Sequence, residues 1–255
     1  MTDVLVSEFL KLRTVRSTTY LLLSLVLTLA AGALVSYLMT ADYDVQPPDV
    51  QVRFGAADPG MVVLPFGQFV LGVLGALAVT SEYGSGMIRT ALVSVPRRKS
   101  FLLAKTAVVG GVSAVVGAAI TLLAYAAGEL ITGDRPKPIS AYDSFAEAAP
   151  TLLANTASLT LLGLFGLGLG FLLRSTAGVL VTLCGLLFVI PGISLLLPSP
   201  WDDRVYSVML PVLAPQLAGE LADPPLSPAA AALVMVAYLV SVLGGGMVAL
   251  LRRDA

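Results

Sequence analysis

Apolar residues run through this chain in six long blocks, at residues 18–39, 62–80, 101–131, 151–173, 176–197 and 228–251, and the stretches between them hold nearly every charge. Each block is close to or above the roughly 20 apolar residues that a helix needs to cross the hydrocarbon of a bilayer. None alternates with a period of two over ten residues, as a barrel strand would, and backbone groups in lipid must find partners within their own segment. The pattern predicts an all-α integral membrane protein of six transmembrane helices, one transmembrane domain over residues 1–255. The block at 101–131 is long enough to tilt, or to break near Gly128.

Ahead of the first block the pattern changes. Over residues 4–16, Leu5, Val6, Phe9, Leu10 and Leu12 fall on one side at helical spacing, with Ser7, Glu8, Lys11 and Thr14 opposite. That predicts an amphipathic helix within residues 1–17, lying in a membrane interface. The first apolar block exceeds the 7 to 15 residues of a signal-peptide core, so it reads as an uncleaved span. The connections after the first, third and fifth blocks are proline-rich, and the longest, residues 198–227, carries apolar pieces at 205–213 and 216–221 that could dip back toward the bilayer.

Composition sharpens this reading mainly by exclusion. Of 255 residues, 57% are hydrophobic and only 12% charged, about half the charge of a soluble domain. A net charge of -1 gives no basic face for nucleic acid. Histidine is absent, which removes Ser-His and Cys-His nucleophilic sites, imidazole relays and His-ligated metal. No metal site is predicted, and a six-span Ser-His protease is excluded. The single cysteine, Cys184, sits in an apolar run and reads as a small core residue.

Charge placement gives orientation. Eleven of the fifteen Lys and Arg fall in the N-terminal arm, the connections after the second and fourth blocks, and the C-terminal end, whereas twelve of the sixteen acids fall on the other side. The positive-inside bias then puts both termini in the cytoplasm and residues 198–227 outside. The spans have almost no charge in their middles. Gln68, Asn155 and Thr182 are the polar candidates for a substrate pathway, and no buried carboxylate is placed to couple transport to an ion gradient. A pump built this way must take its energy from elsewhere. The chain has no Gly-Lys pair, hence no phosphate-cradling loop of its own.

Residues 81–99 form the one inner connection long enough to present a structured element. A short helix over residues 85–93 would bring Met87, Ala91 and Ser94 to one face, with Ile88 and Leu92 beside them, and Pro96 would stop it. The run Glu82-Tyr83-x-x-Gly86-x-Ile88-Arg89-x-x-Leu92, followed by Pro96-Arg97-Arg98 and by Lys105 at the mouth of the third block, resembles the permease subunits of ABC-2 type exporters. The opening Glu8-Phe9-x-Lys11-Leu12-Arg13-Thr14-x-Arg16-Ser17 and the closing Arg252-Arg253-Asp254-Ala255 are also similar to small bacterial members.

The resemblance implies that residues 81–99 are a coupling helix seated in a groove of an ATPase subunit, with Glu82, Tyr83, Gly86, Met87, Ile88, Arg89 and Leu92 making or orienting the contact. It implies an N-terminal helix along the inner membrane surface. Phe9, Lys11, Arg13 and Arg16 there, with Arg97, Arg98 and Lys99, are the inner-interface anchors. For Arg89, Arg97, Arg98 and Lys99, binding anionic headgroups is the competing role. It also implies two permease chains, identical or different, two copies of a separate ATPase that binds ATP and Mg, and a bacterial plasma membrane. The chain itself would catalyse nothing and hold no cofactor. Its apolar walls fit an amphiphilic export substrate such as a drug, antibiotic or peptide. An ATP-independent channel, scaffold or immunity protein is the other class that six uncharged spans allow.

The glycines are the last signal. Gly72-x-x-Gly75, Gly110-Gly111 with Gly117, the Gly163-x-x-Gly166-x-Gly168-x-Gly170 run and Gly244-Gly245-Gly246 predict places where helices approach closely.

Overall fold

The computed structural model of the protein describes residues 2–88, 90, 98–221 and 223–252. Among them every regular element is helical. A short helix α1 (Thr2–Thr14) is set off by extended Val15 from α2 (Arg16–Val45). A single turn α3 (Pro48–Gln51) precedes α4 (Gly60–Gly84), and α5 (Arg98–Thr132) follows. Then come α6 (Phe145–Leu173) and α7 (Thr176–Ser194), two small outer helices α8 (Trp201–Ser207) and α9 (Leu213–Ala218), and α10 (Pro228–Arg252). Six of these, α2, α4, α5, α6, α7 and α10, are long and apolar enough to cross a membrane.

Helix α6 begins six residues ahead of its apolar block because a good cap lies there. At the start of α6, Ser144 Oγ accepts from Glu147 N–H, while the Glu147 carboxylate accepts from Asp143 N–H, a reciprocal cap that adds a polar turn before the apolar stretch. At its other end Arg174 takes the left-handed conformation (φ 53°) and donates its N–H to Gly170 C=O. Ser175 then caps α7 through Gly178 N–H, so α6 and α7 join in two residues.

Helix α5 does not break at Gly128: it is continuous, and Gly128 instead admits Pro59, whose Cδ would lie 3.2 Å from an added Cβ. The irregular helix is α7, where Gly185–Val189 forms a π-helical turn. Pro191 explains it, since its ring has no N–H and would clash with the carbonyl four residues back, at Leu187. Cys184 lies beside this turn and is exposed on the outer surface of α7. The expectation of a core cysteine fails because α7 is apolar all round, so hydropathy does not tell its protein-facing side from its lipid-facing side.

Burial is uneven in a way that defines the architecture. The apolar stretches of α4 and α6 are 61% and 67% buried, against 17% for α2, 22% for α7 and 28% for α10. The buried pair cross at the glycines. A Cβ on Gly75 would stand 1.9 Å from Gly163 C=O, and one on Gly166 would stand 1.8 Å from Gly72 C=O, so the two backbones touch. Two apolar clusters flank this crossing. One packs Leu25, Leu71, Leu74, Phe101, Leu159 and Phe171, and the other Val73, Leu162, Phe165, Leu183, Leu213 and Met235. The 198–227 connection is a helical cap. Leu213, Ala214 and Gln216 are fully buried, and the Gln216 amide donates to Ser207 and Val212 carbonyls while accepting from Leu226 N–H.

Candidate functional site

Four charged side chains meet at the end of the bundle where α1, α4 and α5 come together. Glu82 sits on the last turn of α4, Lys105 two turns into α5, and Glu8 and Lys11 share one face of α1. Lys105 Nζ donates to Glu8 Oε2 at 2.6 Å, to Glu82 Oε1 at 2.9 Å and to the Ala78 carbonyl at 2.9 Å, which uses all three of its hydrogens. Lys11 Nζ donates to Glu8 Oε1 at 2.6 Å and to Glu82 Oε1 at 2.9 Å. Lys105, Glu82 and Glu8 are only 2%, 3% and 5% exposed. Burying such charges is tolerable because the set sums to zero and the bonds are short and charge-assisted. Burial works against the Lys11 charge, but its hydrogen bonds to Glu8 and Glu82 and their charges outweigh that and hold its pKa above the ordinary lysine value.

The side of α1 that carries Glu8 and Lys11 docks on the bundle, and Val6, Phe9 and Leu10 are left exposed. Periodicity cannot tell a polar face turned to water from one turned to complementary charges. Lys11, expected as an inner-interface anchor, bonds two carboxylates; Phe9, Arg13, Arg16 and Lys99 are exposed.

A second cluster binds the same end of the other helices. The Arg174 guanidinium lies 4.9 Å from the Tyr83 ring centre and donates to Ala249 C=O, and Arg98 donates to Leu250 C=O at 2.7 Å. Both cations thus meet carbonyls near the C-terminal end of the described part of α10, where cations are favoured. Thr176 and Thr80 hydroxyls join α7 to α4 at 2.8 Å. Tyr83 is therefore a packing centre at the foot of α4.

In the connection that follows, helical backbone starts two residues later than the expected 85–93. Ser85 caps α4, Gly86 turns with φ +72°, a conformation that suits glycine, and helical backbone resumes at Met87 and Ile88. Met87 is exposed, but Ile88 is 2% exposed and belongs to the apolar core, so of the two only Met87 faces outward. Arg89, Leu92, Pro96 and Arg97 lie outside the described residues.

A family model described as ABC-2 family transporter protein matches residues 4–166, from α1 through most of α6. The chain belongs to the ABC-2 transporter family. No curated protein matches it. It is an ABC-2 permease membrane domain, a kind of subunit that has no catalytic activity, binds no cofactor and works with an ATPase partner.

Within this permease the three polar pathway candidates do not converge. Gln68 is fully buried between α4 and α6, where its amide donates to Ser158 Oγ at 2.8 Å. Thr182 donates to Gly178 C=O of its own helix. Asn155 lines a small cavity at the opposite end of the bundle, with Asp58, Tyr125 and Tyr142.

That opposite end of the permease holds a feature the sequence did not single out. A cleft of about 510 Å³ is lined by Asp58, Tyr142, Thr151 and Glu220, with Thr151 donating to the Glu220 carboxylate. Asp58 and Glu220 lie 162 positions apart in the chain and entered the sequence reading only as members of a charge count. Burial raises the Asp58 pKa, with the nearby Glu220 charge adding to it and the bond from Gly60 N–H opposing. Burial and the Asp58 charge push Tyr142 up to about 12.

An acid with a raised folded pKa binds protons more tightly folded than unfolded, so stability falls as pH rises from the ordinary Asp value toward the raised one. Asp58→Asn, which keeps the acceptor for Gly60 N–H, is therefore expected to raise the thermal midpoint in detergent at pH 7, with the gain shrinking toward pH 4. A gain of the same size at both pH values would contradict this account.

Proposed function

We propose that this chain is the membrane half of an exporter. In this reading the α1 end faces the cytoplasm, two permease chains form the pathway, and a separate ATPase docks on the segment that begins at Gly86. The single observation that carries it is the position of Glu82. Its carboxylate lies four residues before that segment and joins α4 to α5 through Lys105 and to α1 through Lys11. A push on the docked segment would thus reach three helices through one buried junction and move them as a body. Cation placement supports the orientation. Apolar walls and the lack of a charged pathway favour an amphiphilic substrate such as a drug, antibiotic or peptide.

The test is recovery of the partner. Tagged chain solubilised from native membranes is expected to bring an ABC ATPase with it. Met87→Asp, at an exposed position, is expected to cut that recovery at least about tenfold while leaving expression and membrane insertion unchanged. If no ATPase accompanies the unaltered chain, the ATP-independent reading takes over; if Met87→Asp recovers as much as the parent, docking lies elsewhere.

A further inference from the structure

Beside the four-charge junction lies a cavity of about 210 Å³ between α1, the start of α2, the end of α4 and the start of α5. At about 30 Å³ per water this is the space of roughly seven waters, enough for a phosphodiester but not for an acyl chain. Leu21, Leu74, Leu77 and Val109 form an apolar part of its lining, and Lys11, Ser17, Thr18 and Ser81 a polar part. Glu8, Glu82 and Lys105 reach it too, but their side chains are only 6%, 4% and 2% exposed, against 34% for Lys11. The charge that the cavity presents is therefore that of Lys11. Its ammonium has given two hydrogens to Glu8 and Glu82 and has the third to spare. The Ser17 and Thr18 hydroxyls have no hydrogen-bond partner among the described residues. They stand on the first turn of α2, where Val15 at the N-cap supplies no side-chain acceptor. Donors and positive potential thus gather at one part of the cavity.

We propose that this cavity binds the phosphate of one anionic membrane lipid, with the phosphate oxygens accepting from Lys11 and from the Ser17 and Thr18 hydroxyls. A phosphate there meets an ammonium and the positive end of a 30-residue helix, both of which favour it. The head carries net negative charge, because the cation of a zwitterionic head would find the junction carboxylates already bonded to lysines and all but covered. A soluble phosphate would leave the apolar part of the lining bare. A lipid covers it, and its chains leave past Leu21 onto α2, whose apolar stretch is only 17% buried. Which leaflet supplies the lipid rests on the orientation argued above; the binding does not.

The experiment is native mass spectrometry of the detergent-purified full chain titrated with dioctanoyl phosphatidylglycerol, dioctanoyl phosphatidylcholine or dioctanoylglycerol. No ATPase is present, so failure of the exporter reading would not alter the result. One phosphatidylglycerol is expected to bind at least about tenfold more tightly than either other lipid. Thr18→Glu puts a carboxylate where the phosphate would sit, at a helix start that favours acids, and is expected to erase that preference without loss of thermal stability. Ser81→Trp, at an exposed position on the cavity, should erase it by filling the space. Thr19→Glu makes the same charge change one residue on, at an exposed position outside the cavity, and should keep it. Equal affinity for the three lipids would overturn the proposal. So would a preference that persists in either Thr18→Glu or Ser81→Trp, or one that Thr19→Glu loses equally, which would mark a diffuse attraction to basic residues. Competition by inorganic phosphate at the same concentration would overturn the assignment to a lipid.

Discussion

Lys105→Met is expected to destabilise the permease by about 3–5 kcal/mol, the usual result of removing one partner from a buried ion pair. The wild-type junction is neutral, and Lys105 is its most buried member, bonded to both acids and to a carbonyl of α4. Methionine fills similar space but leaves Glu8 and Glu82 buried with only the half-exposed Lys11 between them. The thermal midpoint in mild detergent should fall by on the order of 10 °C.

The double variant Lys105→Met with Glu82→Gln separates charge from packing. It restores neutrality, because Glu8 and Lys11 remain as a pair, and it should recover a large part of the loss. If the single and double variants melted together, the junction would be held by packing around Lys105, including the Phe101 ring 5.1 Å from its ammonium, rather than by charge balance.

Each member of this junction was visible in the sequence, but the junction was not. Glu82 stands out as an acid in a basic connection, and Lys105 as a cation at the mouth of a span. Lys11 and Glu8 belong to an amphipathic repeat. What the sequence lacks is the rotation of α1 about its axis. That rotation is decided by contacts 71 and 97 positions away in the chain. The six spans are legible for the opposite reason, since crossing a membrane is a local property of about 20 residues. Cys184 and Ile88 mark the limit of that locality. Cys184 lies in an apolar run yet faces out, and Ile88 lies in a polar connection yet faces in, because tertiary packing alone decides the direction. Asp58, Tyr142, Thr151 and Glu220 escape for a related reason: three come from separate loops and one from a helix, and they share no spacing.

The glycines are the case where a local signal carried tertiary information, and they give the second large effect. Gly166→Ala is expected to destabilise the fold by about 3 kcal/mol or more, at the upper end for overpacking, because the methyl group would meet backbone rather than a side chain that can turn away. Its Cβ would lie 1.8 Å from Gly72 C=O and 2.9 Å from Gly72 Cα. Helices α4 and α6 would have to part by roughly an ångström or more, and the close-packed interior on both sides of the crossing resists that.

Gly111→Ala is the matched control. It too lies within a spanning helix, but an added Cβ meets nothing within 4 Å. There alanine should be neutral or stabilising by up to about 1 kcal/mol, since it has less backbone entropy to lose in a helix. Thermal midpoints and the fraction of monodisperse protein on gel filtration give the comparison. Equal behaviour of the two variants would mean that the α4–α6 contact yields easily. In that case the push proposed to reach α1, α4 and α5 through Glu82 would not carry α6 with it, because a crossing that opens for one methyl group cannot hold two helices as one body.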